Sequence, residues 1–416
     1  MKYIILLGDG MADNPADELG GKTPLEYAAT PHMDRIASMG TAGLIDTIPQ
    51  GFPPGSDVAN LSVLGYDPHV YHSGRAPLEA ASIGISLSPD DVAFRCNLVT
   101  LGDGEDPVME DYSAGHISSQ EAGLLIDDLN AFAGSDQCRF YSGVSYRNIM
   151  VWKGGSLRVV TTPPHDIVGQ HSNRYLPQGD AASFLVNLAE RSRVLFRDHR
   201  VNRERVKSGK RPASSIWLWG EGKKPRMAPI SDRYPVRGGL ISAVDLLRGI
   251  GYYAGLELLH VDGATGYIDT NYEGKAAKAL EFLTLNDFVF LHVEAPDEMS
   301  HEGNMEGKIR AIEDFDRKIV GTILGEVGRF GGYRIAVMSD HPTPFKIRTH
   351  ASDPSPFAVY SSKKEENICT ALSFGETEAK KSSIVVTPGH CFMDGFLGNW
   401  RKFIGDIQNK STRPLC

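Results

Sequence analysis

Metal-ligand residue types follow the ends of four short apolar segments in this chain. Ligands of open α/β sheets gather beyond the carboxyl ends of the strands, so side chains at these positions can meet. Six ligands that mix carboxylate oxygen with imidazole nitrogen are too many for one tetrahedral ion and suit a pair of divalent ions. We therefore predict a two-metal site formed by Asp9, Asp297, His301, Asp340, His341 and His390.

Each of these side chains also has a structural interpretation when it is considered alone. An aspartate after a strand often caps a helix, and Asp297 and His301 share a helix face without needing a metal ion. A single histidine such as His390 is commonly a core or surface residue. Because all six residues follow strand ends, their combination favours metal binding. We expect two divalent ions, with manganese first and zinc, magnesium and cobalt as alternatives.

A serine that can act as a nucleophile follows a Pro-Pro-Gly turn in the segment GFPPGSDVANLSVLGYDP. Ser56 would lie at the N-terminus of the next helix, where unpaired backbone N–H groups also attract phosphate. The structural alternative is that Ser56 or Asp57 only caps this helix. Ser62 is a second candidate, but it falls inside the helix. Beside a metal pair that lowers its pKa, Ser56 is the predicted nucleophile.

Short apolar segments and amphipathic segments must position these groups. The apolar segments are too short for helices and rich in β-branched or aromatic residues, which indicates buried parallel strands. Strands that alternate with helices indicate an α/β fold with a mostly parallel sheet flanked by helices. The predicted strands are residues 3–7, 288–293, 334–338, 356–360 and 384–387, and the clearest predicted helices are 30–39, capped by Thr30, and 305–324.

The middle of the chain has a different pattern, with shorter strands and turns followed by one helical segment. This pattern indicates a smaller α+β domain inserted into the larger one. We expect the larger, discontinuous domain at residues 1–88 and 208–416, and the insert at residues 89–207. The densest basic stretch runs from Arg191 to Arg211, and within it the segment 199–212 is interpreted as a return linker or an exposed helix end, with an anion-steering edge as the alternative.

Composition excludes several classes of protein. The 416 residues are 41% hydrophobic and 23% charged, as in globular proteins, and the net charge of −9 disfavours nucleic-acid and anionic-membrane partners. The apolar segment at residues 3–7 is too short for a signal peptide, and no segment approaches a membrane span. The five cysteines are scattered without CxxC spacing, which favours free thiols in a cytoplasmic protein.

Several motifs together resemble those of the archaeal-type 2,3-bisphosphoglycerate-independent phosphoglycerate mutases, which belong to the alkaline phosphatase-like metalloenzyme superfamily. The motifs are LLGDGMAD, PPGSDVANLSVLGYDP, SGRAPLEAASIGI, HVEAPDEMSHEGN, IEDFDRKIV and MSDHPTPFKIRTH. The resemblance covers nearly the whole chain and implies an alkaline phosphatase-like sheet with an inserted domain. It implies that the larger domain binds metal and transfers phosphate, and that the insert covers the substrate.

The resemblance also implies a role for each candidate residue. Asp9, Ser56, Asp340 and His341 would surround one metal ion, and Ser56 would be transiently phosphorylated. Asp297, His301 and His390 would hold the second ion, with His350 as an alternative to His390. The substrate would be a small phosphorylated carboxylic acid. The candidate substrate contacts, each of which could instead be a surface ion pair, are Arg75, Arg95, His116, Arg147 and His165 in the insert and Lys275 in the larger domain.

The activity implied is a glycolytic isomerase that interconverts 3-phosphoglycerate and 2-phosphoglycerate through phosphoserine. Related proteins proposed as homoserine kinases, or labelled phosphonopyruvate decarboxylases, would use the same metal and serine motifs with another acceptor. A phosphomonoesterase or sulfatase-like hydrolase is a further alternative, although GSDVAN lacks the sulfatase context. A metal-stabilised binding protein is the non-enzymatic alternative. The acceptor, the identity of the metal and the oligomeric state stay open.

Overall fold

The computed structural model describes residues 1–409, which form two compact units. One unit contains Met1–His72 and residues 226–409, and the other contains Ser73–Pro225. The strands are β1 (Lys2–Gly8), β2 (Thr41–Ile45), β3 (Val92–Leu101), β4 (Met109–Asp111), β5 (Cys138–Val144), β6 (Arg147–Trp152), β7 (Ser215–Lys223), β8 (Gly238–Ile241), β9 (Glu257–Leu258), β10 (Phe288–Val293), β11 (Tyr333–Met338), β12 (Ser355–Ser361) and β13 (Val385–Val386). The α-helices are α1 (Pro24–Tyr27), α2 (Pro31–Met39), α3 (Ser56–Val63), α4 (Pro68–Tyr71), α5 (Arg75–Ser82), α6 (Ser119–Ala133), α7 (Ala182–Arg197), α8 (Arg200–Lys207), α9 (Ile230–Arg233), α10 (Asp245–Tyr253), α11 (Tyr272–Phe282), α12 (Ala295–His301), α13 (Met305–Asp314), α14 (Gly321–Glu326), α15 (Glu376–Lys381), α16 (Phe392–Leu397) and α17 (Trp400–Gln408).

The larger unit is built on a sheet that, within residues 1–409, has eight strands in the order β13-β2-β12-β11-β1-β10-β8-β9. The central strand β1 runs parallel to both neighbours, with Leu7 opposite His292 of β10 and Met338 of β11. Its residues from Ile4 to Leu7 are fully buried. Because the three strands end in register, the residues that follow them meet at one edge of the sheet. The predicted α/β fold with a mostly parallel sheet is confirmed.

Three elements of the larger unit differ from the prediction. The strand predicted at 356–360 is β12, which runs antiparallel to both β11 and β2. An apolar segment shows burial but not direction, so the sequence could not distinguish the two orientations. The helix predicted at 305–324 is α13 and α14 joined by the π-helical turn Phe315–Val320. Helix α2 begins after Thr30 as predicted, but the Thr30 side chain does not bond to its backbone amides.

The smaller unit has its own sheet and its own hydrophobic core. Strand β3 pairs antiparallel with β4, β6 and β7, and β5 completes the sheet beside β6. The unit spans Ser73–Pro225 and is therefore longer at both ends than the insert predicted at residues 89–207. It includes α5, which packs on β3 and β7, and it includes β7, which pairs along most of β3. The basic segment 199–212 is mainly the helix α8 rather than a linker.

The cysteine prediction is confirmed in part. Cys96, Cys138 and Cys369 are free thiols, the first two of them buried. Cys391 is disulfide-bonded, so the free-thiol prediction is wrong for this residue. Cys416 lies outside the described residues. Within residues 1–409, no helix has the length and the apolar composition that crossing a membrane requires.

Candidate metal and phosphotransfer site

Asp9, Asp340 and His341 form a fully buried group at the ends of β1 and β11. Their ligand atoms lie within 4.8 Å of one another. The Nε2 atom of His341 is 3.3 Å from Oδ1 of Asp9. Oδ1 of Asp340 accepts hydrogen bonds from the backbone N–H groups of Gly10 and His341 at 3.1 and 2.9 Å. Two carboxylates and an imidazole converge here because parallel strands end in register.

Ser56 joins this group from the start of α3. Its Oγ lies 3.1 Å from Nε2 of His341 and 3.4 Å from Oδ1 of Asp9. Ser56 is the first residue of α3, directly after Gly55, so its hydroxyl lies beside the free N–H groups of a helix N-terminus. Asn60, one turn later, donates a hydrogen bond to Oδ2 of Asp340 at 2.8 Å. This bond holds α3 against the carboxylate of Asp340. Ser62 donates to the backbone oxygen of Thr47 and is buried, so it is not part of the site.

Asp297 and His301, on the helix α12 that follows β10, form a second group with His350, which lies in the loop between β11 and β12. Nε2 of His301 is 3.1 Å from Oδ2 of Asp297 and 3.0 Å from Nε2 of His350. Nε2 of His350 is 3.6 Å from Oδ1 of Asp297. The imidazole centroids of His341 and His350 are 4.4 Å apart, so the two groups adjoin. Residues from four separate segments thus form one continuous set of six possible ligands plus Ser56.

The tautomers of this second group fit a cation. Nδ1 of His301 faces the carbonyl oxygen of Arg348 at 3.0 Å, and Nδ1 of His350 faces that of Pro54 at 3.3 Å. A carbonyl only accepts, so both Nδ1 atoms carry hydrogen and both Nε2 lone pairs point into one space. In the absence of a cation one imidazole must take a second proton, and the bond to Asp297 raises the pKa of His301 to about 9. A divalent ion would replace this proton.

Thr343 connects the two groups through its hydroxyl. The hydroxyl donates to Oδ1 of Asp297 at 2.6 Å and faces Nδ1 of His341 at 3.1 Å. Since its proton is given to Asp297, it accepts from Nδ1–H of His341. This fixes the His341 tautomer with the Nε2 lone pair facing Asp9 and Ser56. One hydroxyl therefore orients a ligand in each group.

The structure does not bring His390 to either group. Its Nδ1 is buried without a hydrogen-bond partner among the described residues and lies 4.0 Å from Oδ1 of Asp67. The position predicted for His390 beside Asp297 and His301 is taken by His350, the alternative in the sequence. Strand β13, which precedes His390, is at the sheet edge, whereas the ligand-bearing strands are central.

Two further site residues were not predicted. His292 in β10 is buried, and its Nε2 lies 2.8 Å from Oδ2 of Asp9. Glu294 follows it, and with Asp9 and His292 forms a third group of potential ligands. Burial, with the charges of Asp340 and Glu294, raises the pKa of Asp9 well above its ordinary value. The sequence FVFLHVE was read only as a strand that leads to Asp297, and a single histidine inside an apolar strand gives no local signal of metal binding.

Two positions constrain the backbone and the charge around the site. Gly10 has φ +60°, and a Cβ there would lie 2.6 Å from Asp297 Oδ1 and from Thr343 Oγ1, so only glycine permits the two groups to approach. Lys275 is fully buried and donates to the backbone oxygen of His292 at 3.1 Å. Burial lowers the pKa of Lys275 to about 8. It therefore supports β10 from behind the site, and the prediction that it contacts substrate is not supported by its position.

In the smaller unit, four of the other five predicted substrate contacts lie beside aromatic rings, and the charge of the fifth, Arg75, acts on Arg95. The Arg95 guanidinium lies 4.1 Å from the Trp219 ring and 2.9 Å from Glu79, and the His165 ring is 5.3 Å from Trp219. Burial lowers the pKa of Arg95, and the positive charges of Arg75 and Arg147 add to this effect. His116 and Arg147 both lie beside Tyr146.

The turn that presents His116 has an unusual backbone. Ala114, Gly115 and His116 have φ values of 50°, 63° and 47°, a left-handed run that costs energy for the two non-glycine residues. Asp111 accepts from the backbone N–H groups of Ser113 and Gly115 and holds the turn. Arg205 donates to the carbonyl oxygen of Ala114 at 2.6 Å. Strain that is held by buried polar contacts is typical of functional loops.

Comparisons with known proteins give the family. A family model described as 2,3-bisphosphoglycerate-independent phosphoglycerate mutase matches residues 37–202. A protein of that name from Methanosarcina barkeri is 53% identical over 92% of this chain and 96% of its own length. A second protein of that name, numbered 2, from Methanothermobacter thermautotrophicus is 49% identical over 95% of this chain and 96% of its own length.

Solved structures agree with these relatives. A protein from Pyrococcus horikoshii has a TM-score of 0.80 at 29% identity and covers 99% of this chain and 98% of its own. The cofactor-independent phosphoglycerate mutase from Thermoplasma acidophilum has a TM-score of 0.65 at 28% identity and covers 95% and 98%. With about half of all residues identical over more than nine tenths of its length, the chain belongs to the 2,3-bisphosphoglycerate-independent phosphoglycerate mutase family.

Proposed function

We propose that this protein interconverts 3-phosphoglycerate and 2-phosphoglycerate, without 2,3-bisphosphoglycerate, through a phosphoserine at Ser56. The observation that carries the proposal is the position of Ser56 Oγ, 3.1 Å from His341 Nε2 and 3.4 Å from Asp9 Oδ1 at the N-terminus of α3. Membership of the family supports the substrate, and the adjoining ligand groups support phosphoryl transfer.

The proposed ligand sets follow the two groups, of which the first is buried and the second partly buried. Asp9, Asp340, His341 and Ser56 would hold one divalent ion. Asp297, His301 and His350 would hold the other, with His350 in place of His390. When bound, such ions neutralise charge on the phosphoryl oxygens and lower the pKa of the serine hydroxyl. Mixed oxygen and nitrogen donors suit manganese, which we expect as the native metal, with zinc, magnesium and cobalt as alternatives.

The proposed reaction has two displacements at phosphorus. Ser56 Oγ attacks the phosphorus of 3-phosphoglycerate, and the bond from phosphorus to the 3-oxygen breaks. The proton that Ser56 loses is balanced by the proton that the glycerate 3-hydroxyl gains. Glycerate then turns, and its 2-hydroxyl attacks the phosphoserine and restores the serine hydroxyl. Backbone N–H groups at the start of α3 bind the phosphoryl oxygens during both steps. Water must be excluded, because it would hydrolyse the phosphoserine.

The basic and aromatic cluster of the smaller unit is proposed to bind the anionic groups of the substrate. Arginine binds carboxylate and phosphate through two parallel N–H donors, which suits Arg75 and Arg147. Arg95 pairs with Glu79 and stacks on Trp219, and through these contacts it positions the cluster. The substrate-covering role of the smaller unit, the phosphotransfer role of the larger unit, a role in glycolysis and a cytoplasmic location are parts of the same proposal.

The test is a coupled assay with manganese and 3-phosphoglycerate, in which enolase reports 2-phosphoglycerate and 2,3-bisphosphoglycerate is left out. We expect turnover that chelation abolishes and that falls to background in Ser56→Ala. Ser62→Ala is the matched control, because it also removes a serine hydroxyl from α3. The Ser62 hydroxyl donates to the backbone oxygen of Thr47, away from the site. An active Ser56→Ala variant would overturn the assignment of the nucleophile. Phosphorylation of homoserine from ATP, with no mutase turnover, would overturn the substrate.

A further inference from the structure

A cationic cavity in the smaller unit lies outside the cluster just described. It has a volume of about 610 Å³ and lies between the turn after β3, the end of α7, the helix α8 and the residues before β7. Four basic side chains line it, together with one carboxylate from Asp103. The basic residues are Arg193, Arg197, Arg203 and Lys207.

These four side chains have no carboxylate partner within 4.0 Å among residues 1–409, although carboxylates occur on the same helices. Their neighbours show the contrast. Arg205 of α8 is paired with Glu121 at 2.8 Å, and Arg211 is paired with Asp111 at 3.0 Å. Four positive charges that share a concave surface repel one another, and an anion that binds between them relieves the repulsion.

The number of charges selects the class of anion. A single phosphate would satisfy one or two guanidinium groups, whereas four basic side chains match a chain of phosphates. A second cavity of about 310 Å³ shares Leu101 and Arg193 with the first, and its lining combines apolar side chains such as Trp217 with the carboxylates Glu105 and Glu190. A space lined by an indole ring and by polar groups beside the cationic cavity can receive the base of a nucleotide.

We propose that the smaller unit binds a small polyphosphate anion, free or carried by a nucleotide, in this cationic cavity. The inference uses none of the residues proposed to act on phosphoglycerate. It assigns a function to the basic stretch between Arg191 and Arg211, which the mutase reaction leaves unexplained. Failure of the mutase proposal would leave it intact, and the reverse also holds.

The test is isothermal titration of the full-length protein with tripolyphosphate and, separately, with ATP, both as magnesium complexes. Saturating 3-phosphoglycerate is present throughout, so that phosphates cannot enter the proposed active site. We expect binding of one equivalent, weakened at least about tenfold by Arg197→Gln with Arg203→Gln, because the two substitutions remove two charged hydrogen-bond donors from the cavity. Tighter binding of ATP would identify a nucleotide as the ligand, and equal binding would identify the phosphate chain.

A matched control keeps the change in net charge constant. Arg200 lies on α8 with Arg203, and Lys210 follows the helix, but neither lines the cavity. Arg200→Gln with Lys210→Gln should bind as the wild type does. Equal weakening in this control would show attraction by net charge alone and overturn the proposal. Absence of binding to the wild-type protein would also overturn it.

Discussion

Replacement of Thr343 by valine tests whether one hydroxyl organises both ligand groups. Valine keeps the shape of the side chain and removes its oxygen. Asp297 then loses a charge-assisted hydrogen bond of 2.6 Å, and Nδ1–H of His341 loses its acceptor at 3.1 Å inside a fully buried site. The backbone oxygen of Thr343 still accepts from Lys308, so the loop keeps its position.

The expected size of the effect follows from these two bonds. A hydrogen bond to a charged group contributes about 1.5–3 kcal/mol, and an unsatisfied buried donor costs about 1–3 kcal/mol. Part of this loss is common to the metal-bound and metal-free protein and cancels in the binding equilibrium. Partners that orient metal ligands commonly change metal affinity or activity about 10–100-fold when they are removed. We expect Thr343→Val to weaken manganese binding within this range.

The assay is mutase rate as a function of free manganese concentration, which separates the affinity for the metal from the rate at saturation. Thr343→Ser is the control, because serine keeps the hydroxyl and loses only the methyl group. We expect Thr343→Ser to stay within a few fold of the wild type. Thr343→Val with unchanged manganese affinity and unchanged saturated rate would refute the role of the hydroxyl.

Two further predictions concern a ligand and a buried acid. His350→Ala should weaken manganese binding more than about tenfold, whereas His390→Ala should leave it unchanged; the opposite result would restore the ligand first predicted. Burial raises the pKa of Glu376, which accepts from Asp13 N–H and Thr23 Oγ1, from 4.5 to about 7. The folded state therefore holds this proton more tightly, and stability falls by about 3 kcal/mol from this group as pH rises from 4.5 to 7. Urea unfolding across this interval should show a weaker fall in Glu376→Gln, and an unchanged pH dependence would contradict the assignment.

Several residues of the candidate metal site in the larger unit could be predicted because they directly follow the ends of strands. Asp9 and Asp340 follow β1 and β11, two neighbouring parallel strands whose register brings their ends together. Ser56 was predictable from the Pro-Pro-Gly turn and the helix that follows it. In each case a short local pattern determines which end of a strand or helix the side chain occupies. The parallel sheet then brings the ends of neighbouring strands together.

His350 could not be distinguished from His390 by the same rule. His390 follows a strand, but β13 is four strands away from β1, which corresponds to about 19 Å at the usual spacing of strands. His350 belongs to a loop that returns to the site, held by Ala351 N–H donating to the carbonyl oxygen of Pro342. Strand order and loop path depend on contacts distant in sequence, and a single sequence does not show them.

The smaller unit was less predictable, for a related reason. The helix α6 was not predicted, although Ser118 and Glu121 form a capping box at its start. The edges of the unit were placed inside its true limits, because β7 pairs with β3 across more than a hundred residues. The positive φ values at Ala114 and His116 could not be predicted from the sequence, because alanine rarely adopts that conformation and most histidines do not adopt it either.

The buried charges explain why this edge of the sheet would bind cations. Asp9, Asp340 and Glu294 are close together, while the nearest buried ammonium groups, Lys275 and Lys308, bond to a backbone oxygen and to Asp13. Burial and the neighbouring carboxylates raise the pKa of Asp9, so the ion-free fold loses stability as pH rises above the ordinary carboxyl range. Metal binding needs deprotonated ligands and strengthens as pH rises. The two dependences oppose each other, so stabilisation of the fold by divalent ions must be greatest at neutral and alkaline pH, where the proposed serine chemistry also requires the ions.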